Sequence, residues 1–283
     1  MPPACCAAGV DGFTRDGLRF DVRDDGPRDD APVAVLLHGF PQDGSAYDAV
    51  VPLLTEAGVR TLAPDQRGYS PGARPAGLRA YAVPELVDDV VALLDEAGVD
   101  AAHVVGHDWG GAVAWALAAR RPDRVASLTA LGTPHPAALR RGLPRGQVAR
   151  SWYVGAFQVP ALPERALLAR DGSRLRRALV GTGLAPHRAE YYVARMSAPG
   201  ALTAALAWYR ALGVPRTGST GRVRVPTTYV SARRDPFFAP ASVEATGDRV
   251  DAPFLRVDLD ADHWLPEHRP ADVAAAVLGQ VRG

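Results

Sequence analysis

One short stretch of the sequence places a charged side chain between closely spaced glycines. It runs Gly106-His107-Asp108-Trp109-Gly110, directly after the β-branched pair Val104-Val105. A glycine two residues before and two after a central side chain is the pattern of a nucleophile elbow, a sharp strand-to-helix turn that exposes a reactive residue. Hydrolases usually carry serine at its centre, whereas this chain carries Asp108. Taken alone, the stretch also fits an ordinary turn in which Asp108 caps the following helix.

A carboxylate at this position favours attack on an alkyl carbon. Aspartate is ionised at neutral pH, so it needs no general base to become a nucleophile. It is a weak nucleophile, and it suits a carbon that bears a strained ring or a good leaving group. The attack forms an ester between Asp108 and the substrate, a covalent intermediate that water must then cleave.

Two further residues supply a base and an acid for that second step. His263 lies in Asp260-Ala261-Asp262-His263-Trp264, just past the last predicted strand, and Asp235 ends the strand before it. The 28 residues that separate them leave room for one helix and one strand. The chain order of nucleophile, acid and base is the order found in α/β-hydrolases. We therefore predict a triad of Asp108, Asp235 and His263.

Alternating strand and helix patterns place these residues along one sheet edge. Val33–Leu37 is a continuous apolar run, typical of a strand buried on both faces. Asp16-Gly17 predicts a hairpin turn, and Tyr47, Val50, Val51 and Leu54 have the spacing of an amphipathic helix. The alternation continues to a strand over Val125–Leu131. It predicts an α/β fold with a mostly parallel, doubly wound sheet, and such sheets carry their sites at the carboxyl ends of the strands.

The alternation stops at Gly132-Thr133-Pro134-His135-Pro136, after the sixth core strand. From about residue 137 to 218 the patterns are helical, and Pro215 to Gly221 is predicted to be a return linker. Strand patterns resume at Thr227–Ser231 and Phe254–Leu259, and a closing helix follows. We expect a core made of residues 1–136 and 220–283, interrupted by a helical cap over residues 137–219.

Composition indicates a globular protein without a charged partner. The 283 residues are 47% hydrophobic and 22% charged, with a net charge of +1. That balance gives no electrostatic argument for nucleic acid or an anionic membrane. The adjacent Cys5 and Cys6 predict no disulfide framework. A signal peptide and a membrane span are not expected, so we predict a cytoplasmic protein, with residues 1–10 as a disordered tail.

Cofactor and metal motifs are not evident in the sequence. It contains no G-x-G-x-x-G or Walker pattern, and its seven histidines show no H-E-x-x-H spacing. We therefore expect no cofactor and no metal. A small substrate and water are the expected partners, and the chain is expected to be a monomer or a homodimer.

Several of these segments together resemble one family. Over nearly its whole length after the first residues, the chain resembles α/β-hydrolases of the soluble epoxide hydrolase type. The resemblance rests on five segments, His38-Gly39-Phe40-Pro41, Asp65-Gln66-Arg67-Gly68-Tyr69-Ser70, Gly106–Gly111, Thr133-Pro134-His135-Pro136 and His263-Trp264. It implies an enzyme that converts an apolar epoxide to a vicinal diol.

The resemblance also implies roles for individual residues. The backbone N–H groups of Phe40 and Trp109 match the oxyanion hole, and the peptide before Pro41 is cis in relatives. Tyr153 and Tyr209 match two cap tyrosines that act as acids toward the epoxide oxygen. Candidate residues for the substrate pocket are Trp152, Phe157, Leu162, Phe237, Phe238 and Trp264.

Two alternative functions stay open at this point. Haloalkane dehalogenases share the aspartate elbow but carry asparagine where Phe40 stands, and haloacetate dehalogenases carry arginines at the positions of Trp109 and Ala112. The second alternative is a ligand receptor on the same fold. The chain also departs from relatives, with Asp262 in place of the usual glycine before His263. A carboxylate there would favour protonated His263, and His268 stands where an acid is frequent.

Overall fold

An eight-stranded sheet forms the centre of the structure, a computed structural model that describes residues 9–214 and 220–283. The strand order is β1-β2-β4-β3-β5-β6-β7-β8, and every neighbouring pair from β4 to β8 is parallel. The first two strands form the predicted hairpin and join the sheet antiparallel to β4. The strands are β1 Gly12–Arg15, β2 Leu18–Asp25, β3 Val33–Leu37, β4 Arg60–Pro64, β5 Ala102–His107, β6 Val125–Leu131, β7 Thr227–Ala232 and β8 Phe254–Leu259.

Helices cover both faces of the sheet and fill the long connection between β6 and β7. The α-helices are α1 Val51–Glu56, α2 Val83–Glu96, α3 Trp109–Arg120, α4 Pro136–Gly142, α5 Gln147–Arg150, α6 Trp152–Phe157, α7 Leu162–Gly181, α8 Pro186–Ser197, α9 Ala201–Arg210, α10 Pro240–Glu244, α11 Leu265–His268 and α12 Pro270–Arg282. Short 3-10 helices span Gly44–Tyr47, Leu78–Tyr81, Pro122–Arg124, Leu143–Arg145, Ala211–Gly213 and Gly247–Arg249.

The central strands have the burial that their sequences predict. All residues of β3 are buried, because helices pack on both faces of a parallel sheet. Helices α2 and α3 pack on one face, around Trp115, and α1 and α12 pack on the other, around Leu265. The prediction of an α/β fold with a mostly parallel, doubly wound sheet is confirmed.

The helical insertion, residues 136–213, departs from the sheet after β6 and consists of six α-helices and two short 3-10 helices within the described residues. Helix α7 bends at residues 169–172, where Arg170, Asp171 and Gly172 have positive φ. Most of the predicted linker Pro215–Gly221 and of the N-terminal tail lies outside the described residues. Among the helices that the structure does describe, none has both the length and the apolar character needed to cross a bilayer.

One predicted helix is shorter than expected. The spacing of Tyr47, Val50, Val51 and Leu54 predicts a single amphipathic helix, but a 3-10 helix ends at Tyr47 and α1 begins at Val51. Pro52 explains the break, because proline lacks the backbone N–H that a continuing helix would use and fits the first turn of a new one. The side chains of Tyr47, Val50 and Leu54 are buried as predicted.

Candidate active site

The turn between β5 and α3 holds Asp108 in a strained backbone conformation. Its φ of 50° and ψ of −119° lie outside the regions that residues other than glycine usually adopt. The flanking glycines are required by space: a β-carbon on Gly110 would collide with the carbonyl oxygen of Leu37, and one on Gly106 with the Gly110 carbonyl. The Asp108 carboxylate makes no capping hydrogen bond to α3. The geometry therefore favours the elbow over a helix cap.

Backbone N–H groups hold one side of the Asp108 carboxylate. The Phe40 N–H donates to Oδ1 at 2.8 Å, and the N–H of Trp109, the next residue, also favours the charged form of the carboxylate. The Phe40–Pro41 peptide is cis. Burial raises the pKa of Asp108, and although His263 and the two N–H groups oppose it, the pKa stays above its usual value. The sequence predicts these two N–H groups as an oxyanion hole, and the Phe40 N–H contacts the carboxylate directly.

The base and the acid lie beside the other carboxylate oxygen. His263 Nδ1 is 2.8 Å from Asp235 Oδ2, and His263 Nε2 faces Asp108 Oδ2 at 3.8 Å. The second oxygen of Asp235 accepts the Phe237 N–H at 2.7 Å. Burial alone would lower the pKa of His263, but the carboxylates of Asp235 and Asp108 outweigh it and raise that pKa. The structure thus brings the three predicted triad residues together.

Asp262, the departure next to the base, has partners of its own. Its carboxylate lies 2.9 Å from His268 Nδ1 and accepts the Trp264 N–H at 3.1 Å. The carboxylate still contributes to the raised pKa of His263, but less than Asp235 and Asp108 do. The two departures from relatives, Asp262 and His268, are therefore in contact with one another.

An apolar cavity of about 630 Å³ opens above the triad and is called the first lobe. Asp108 and His263 contribute to its lining together with Tyr153, on α6, and Tyr209, on α9. The two tyrosine rings are 6.0 Å apart in an edge-to-face arrangement. Burial and the nearby Asp108 raise the pKa of both phenols, so both stay protonated near neutral pH.

A second cavity of about 380 Å³, called the second lobe, shares part of its lining with the first. Both lobes are lined by Asp108, Tyr153, Tyr209 and Phe237, so the reacting atoms would lie where the two spaces adjoin. The second lobe has the more polar wall. Its other lining residues include Trp109, Ala112, Thr133, Arg140, Gln147, Ser151 and Phe238.

The predicted pocket residues are distributed unevenly. Trp152, Phe157, Phe237 and Trp264 line the first lobe, and Phe238 lines the second. The expectation for Leu162 is wrong: it lines neither lobe and its side chain is 62% exposed. Leu162 is the first residue of α7, and the residues of that helix that line the cavity come later, beginning with Leu167.

Polar contacts fix the two helices that carry the tyrosines. Arg210, next to Tyr209, donates to the Phe157 carbonyl at 2.9 Å and forms an ion pair with Glu164 at 2.7 Å. Gln158 donates to the Tyr209 carbonyl at 2.9 Å. Arg210 at the end of α9 thus binds the backbone of α6, and Gln158 at the end of α6 binds the backbone of α9. These two hydrogen bonds hold the helices in one relative position.

Sequence reasoning missed a buried network of hydrogen-bonded side chains behind His263, the predicted base. The ring of His107 contacts the Gln42 amide through Nδ1 at 2.9 Å and the His263 carbonyl through Nε2 at 2.8 Å. Gln42 in turn donates to Glu267 at 2.9 Å. Both residues lie in or next to segments that the sequence marks: His107 precedes Asp108, and Gln42 follows Pro41. These positions were the available signal that the two side chains contribute to the site. This hydrogen-bonded network supports the loop that carries His263.

A second missed residue is Gln147, which binds the loop after Asp235. Its Nε2 donates to the Phe237 carbonyl at 2.8 Å, and its Oε1 accepts the Ala239 N–H at 2.8 Å. Arg150 on the same helix donates to the carbonyls of Asp235 and Pro236. Helix α5 thereby connects the triad acid to the helical insertion. Nothing in the spacing of a lone glutamine pointed to this role.

Comparisons with known proteins agree with this architecture. The sequence profile of the alpha/beta hydrolase fold family matches residues 32–270. A Bacillus subtilis protein named AB hydrolase superfamily protein YfhM is 36% identical, over 89% of this chain and 90% of its own. Epoxide hydrolase A of Mycobacterium tuberculosis is 32% identical, over 89% of this chain and 91% of its own.

A solved structure gives the same result. Epoxide hydrolase A from Mycobacterium thermoresistibile superposes with a TM-score of 0.84 at 26% identity, covering 96% of this chain and 97% of its own. Because the family profile and these relatives match most of its length, the chain belongs to the α/β-hydrolase fold family and, within it, to the epoxide hydrolases.

Proposed function

We propose that this protein hydrolyses an apolar epoxide to a vicinal diol in two steps. In the first, Asp108 Oδ2 attacks one epoxide carbon and the bond from that carbon to the ring oxygen breaks. In the second, water cleaves the resulting ester. The relatives that carry the name epoxide hydrolase support the overall reaction, and the arrangement around Asp108 supports the individual steps.

The observation that carries the proposal is a pair of phenols that line the same cavity as the proposed nucleophile. Ring opening leaves an alkoxide, a strong base that needs a proton or hydrogen-bond donor, whereas a halide leaves without one. Tyr153 and Tyr209 line the cavity with Asp108, and burial keeps them protonated. A phenol with its proton retained can donate to the ring oxygen and transfer that proton as charge develops.

The second step uses the other half of the site. His263 takes a proton from water, and the hydroxide attacks the carbonyl carbon of the Asp108 ester. The negative charge that develops on the ester oxygen is stabilised by the N–H groups of Phe40 and Trp109. Collapse of this intermediate breaks the bond between the carbonyl carbon and the ester oxygen Oδ2, which takes the remaining hydroxyl proton and leaves with the diol. The oxygen from water stays in the regenerated Asp108 carboxylate. The proton on His263 returns to the phenolate left on the tyrosine.

Residues 137–219 serve in this proposal as the cap domain on a core of residues 1–136 and 220–283. The cap supplies both phenols and covers Asp108, which keeps bulk water from the alkylation step. A cytoplasmic location, a monomer or homodimer, and the absence of a cofactor stay predictions.

Rates on a substrate panel test the proposal. Styrene oxide, aliphatic epoxides and haloalkanes would be compared for the wild type and for Tyr153→Phe, Tyr209→Phe and the double variant. Each single change should slow epoxide opening about 10–10³-fold, within or below the usual range for acid catalysis. The double change should nearly abolish it and leave the fold intact by circular dichroism.

The panel also separates the alternatives. Halide release from haloalkanes much faster than any epoxide is opened would identify a dehalogenase. Binding of an epoxide without turnover would identify a receptor. Normal epoxide opening by the double variant would contradict the role of the two phenols.

A further inference from the structure

The charges of the chain are segregated between the helical insertion and the rest. Residues 136–213 contain twelve arginines but only three acidic residues, Glu164, Asp171 and Glu190, a net charge of +9. The remaining residues contain 20 basic and 28 acidic residues, a net charge of −8. The net charge of +1 for the whole chain conceals this asymmetry. The net charge alone gives no electrostatic argument for an anionic partner, but the charge of the helical insertion does. The helical insertion is a strongly basic body on an acidic core.

Seven of these twelve arginines form no ion pair with a carboxylate among the described residues. Arg188 and Arg195 pair with acids of the core, and three others form ion pairs as well. Arg150 binds backbone carbonyls. Six exposed arginines make no ion pair with any carboxylate in residues 9–214 and 220–283, namely Arg140, Arg145, Arg165, Arg170, Arg174 and Arg177.

Exposed apolar side chains lie among these arginines. Of the eleven large hydrophobic residues that are exposed in the described part of the chain, five fall between residues 143 and 162. Trp152 is 72% exposed, Val148 63% and Leu162 62%. A soluble surface rarely clusters such side chains without a binding purpose. We call the solvent-accessible side chains of residues 140–165 the basic–apolar face. Its one acidic residue, Glu164, is paired with Arg210.

Residues of the basic–apolar face line both lobes of the active-site cavity. Arg140 and Leu143 line the second lobe, and Arg150 and Trp152 line the first. All four are at least partly exposed to solvent. A surface that this face contacts would therefore have direct access to the cavity above Asp108.

We propose that the basic–apolar face docks on the surface of an anionic lipid bilayer. Arginines near such a surface are attracted by its negative potential, and tryptophan and aliphatic side chains gain free energy by entering the boundary between headgroups and acyl chains. Nucleic acid would account for the arginines but would leave the aliphatic side chains of Val148 and Leu162 without apolar partners. The combination of both residue types selects the lipid surface.

Docking in this orientation would supply the active site with lipid-dissolved substrate. An apolar epoxide could enter from the bilayer past Trp152 without crossing bulk water. This consequence rests on the proposed function, whereas the docking itself does not. Measurements of vesicle binding and of hydrolysis in solution therefore fail separately if either proposal is wrong.

Vesicle flotation tests the docking. The full-length protein would be mixed with phosphatidylcholine vesicles, with or without about 30% phosphatidylglycerol, at low salt and at about 0.5 M salt, where surface charges are screened. The test variant combines Val148→Ser, Leu162→Ser and Arg145→Gln, none of which lines the cavity. The matched control combines Leu53→Ser, Leu255→Ser and Arg233→Gln. These three positions are exposed and lie outside the helical insertion.

The wild type and the control should float with the anionic vesicles at low salt, and high salt should weaken the binding. The test variant should bind at least about tenfold more weakly, since it loses one arginine and two apolar anchors. Its hydrolysis of styrene oxide in solution should equal that of the wild type. The proposal is overturned if the wild type does not float with anionic vesicles, if neutral vesicles bind it equally, or if the control loses as much binding as the test variant.

Discussion

The two oxygens of Asp108 have different neighbours, and this difference assigns their tasks. Oδ1 accepts the Phe40 N–H, whereas Oδ2 lies toward His263, 3.8 Å from Nε2. In the proposed mechanism Oδ2 bonds to the substrate and Oδ1 later carries the negative charge of the tetrahedral intermediate. The nucleophile therefore needs no rearrangement between the two steps.

A His263→Gln variant should separate those steps. Glutamine cannot take a proton from water, so alkylation of Asp108 should proceed while ester hydrolysis stops. Intact-mass spectrometry after incubation with an epoxide should show the protein mass increased by one substrate. Adding Asp108→Ala to the variant is the control, and it should remove the adduct. Turnover at the wild-type rate would exclude His263 as the base.

The pH profile of ester hydrolysis should depend on Asp235. His263 acts as a base only when neutral, so the rate falls as the pH drops below its pKa, which the two carboxylates hold above the usual value. Asp235→Asn removes the larger of their contributions. The acid limb should therefore move to lower pH, while the maximal rate falls by up to about 10⁴-fold. Single-turnover hydrolysis measured across pH tests this, and an unmoved limb would contradict it.

At the scale of elements, helix α5 connects the helical insertion to the loop that follows Asp235, the predicted acid of the triad. Gln147→Leu should leave the Phe237 carbonyl, the Ala239 N–H and the Ser242 hydroxyl without their partner. Each such buried group costs about 1–3 kcal/mol, so urea unfolding should show a loss of about 3 kcal/mol or more, with a lower kcat as the Asp235 loop shifts.

Gln280→Leu provides the comparison for α5. Gln280 donates to the Thr228 hydroxyl at 2.7 Å from α12, away from the cavity. Its replacement should lower stability by about 1 kcal/mol or less and leave kcat unchanged. Equal effects of the two changes on kcat would argue against a special role for α5.

The core elements were predictable from sequence because each has a local signature. The apolar run of β3, the turn at Asp16-Gly17 and the glycines of the elbow all act within a few residues. The interior of the helical insertion was not predictable. Its helices are placed by contacts that are distant in sequence, such as Gln147 with Phe237 and Gln158 with Tyr209.

The candidate site shows the same division. Asp108, Asp235 and His263 were expected because motif and chain order mark them. The mistake at Leu162 has the opposite origin, since whether a side chain faces a cavity or solvent depends on how α7 packs. The buried hydrogen-bonded network through Gln42 and His107 could not be found from spacing alone, because these two residues are 65 positions apart in the sequence.

At the scale of the whole molecule, buried histidines should make the fold sensitive to acid. Burial lowers the pKa of His38, His103 and His107, and it lowers the pKa of His135 to about 4. The unfolded chain takes up these protons near pH 6.5, whereas the folded chain does not. Stability should therefore fall as the pH drops from about 6.5 toward 4.

His135 offers the clearest test of this pH dependence. Its ring binds the Gly221 carbonyl and accepts the Ala137 N–H, and its lowered pKa corresponds to a loss on the order of 2–3 kcal/mol at pH 4. Urea unfolding at pH 7 and at pH 4.5 should give a smaller difference for His135→Gln than for the wild type. The raised pKa of His263 acts in the opposite direction, since its stabilisation is lost only as pH rises through that pKa. An equal or larger pH difference in the variant would contradict the assignment.

The two-step mechanism is tested most directly by following oxygen from water in a single turnover. With excess enzyme and substrate in ¹⁸O-labelled water, the attacking water adds to the Asp108 ester, so the label should enter the carboxylate of Asp108. Mass spectrometry of the peptide that contains Asp108 measures it, and the diol from this first turnover should carry only unlabelled oxygen. Label in the diol and none in Asp108 would show that water attacks the epoxide directly, and would contradict the covalent intermediate.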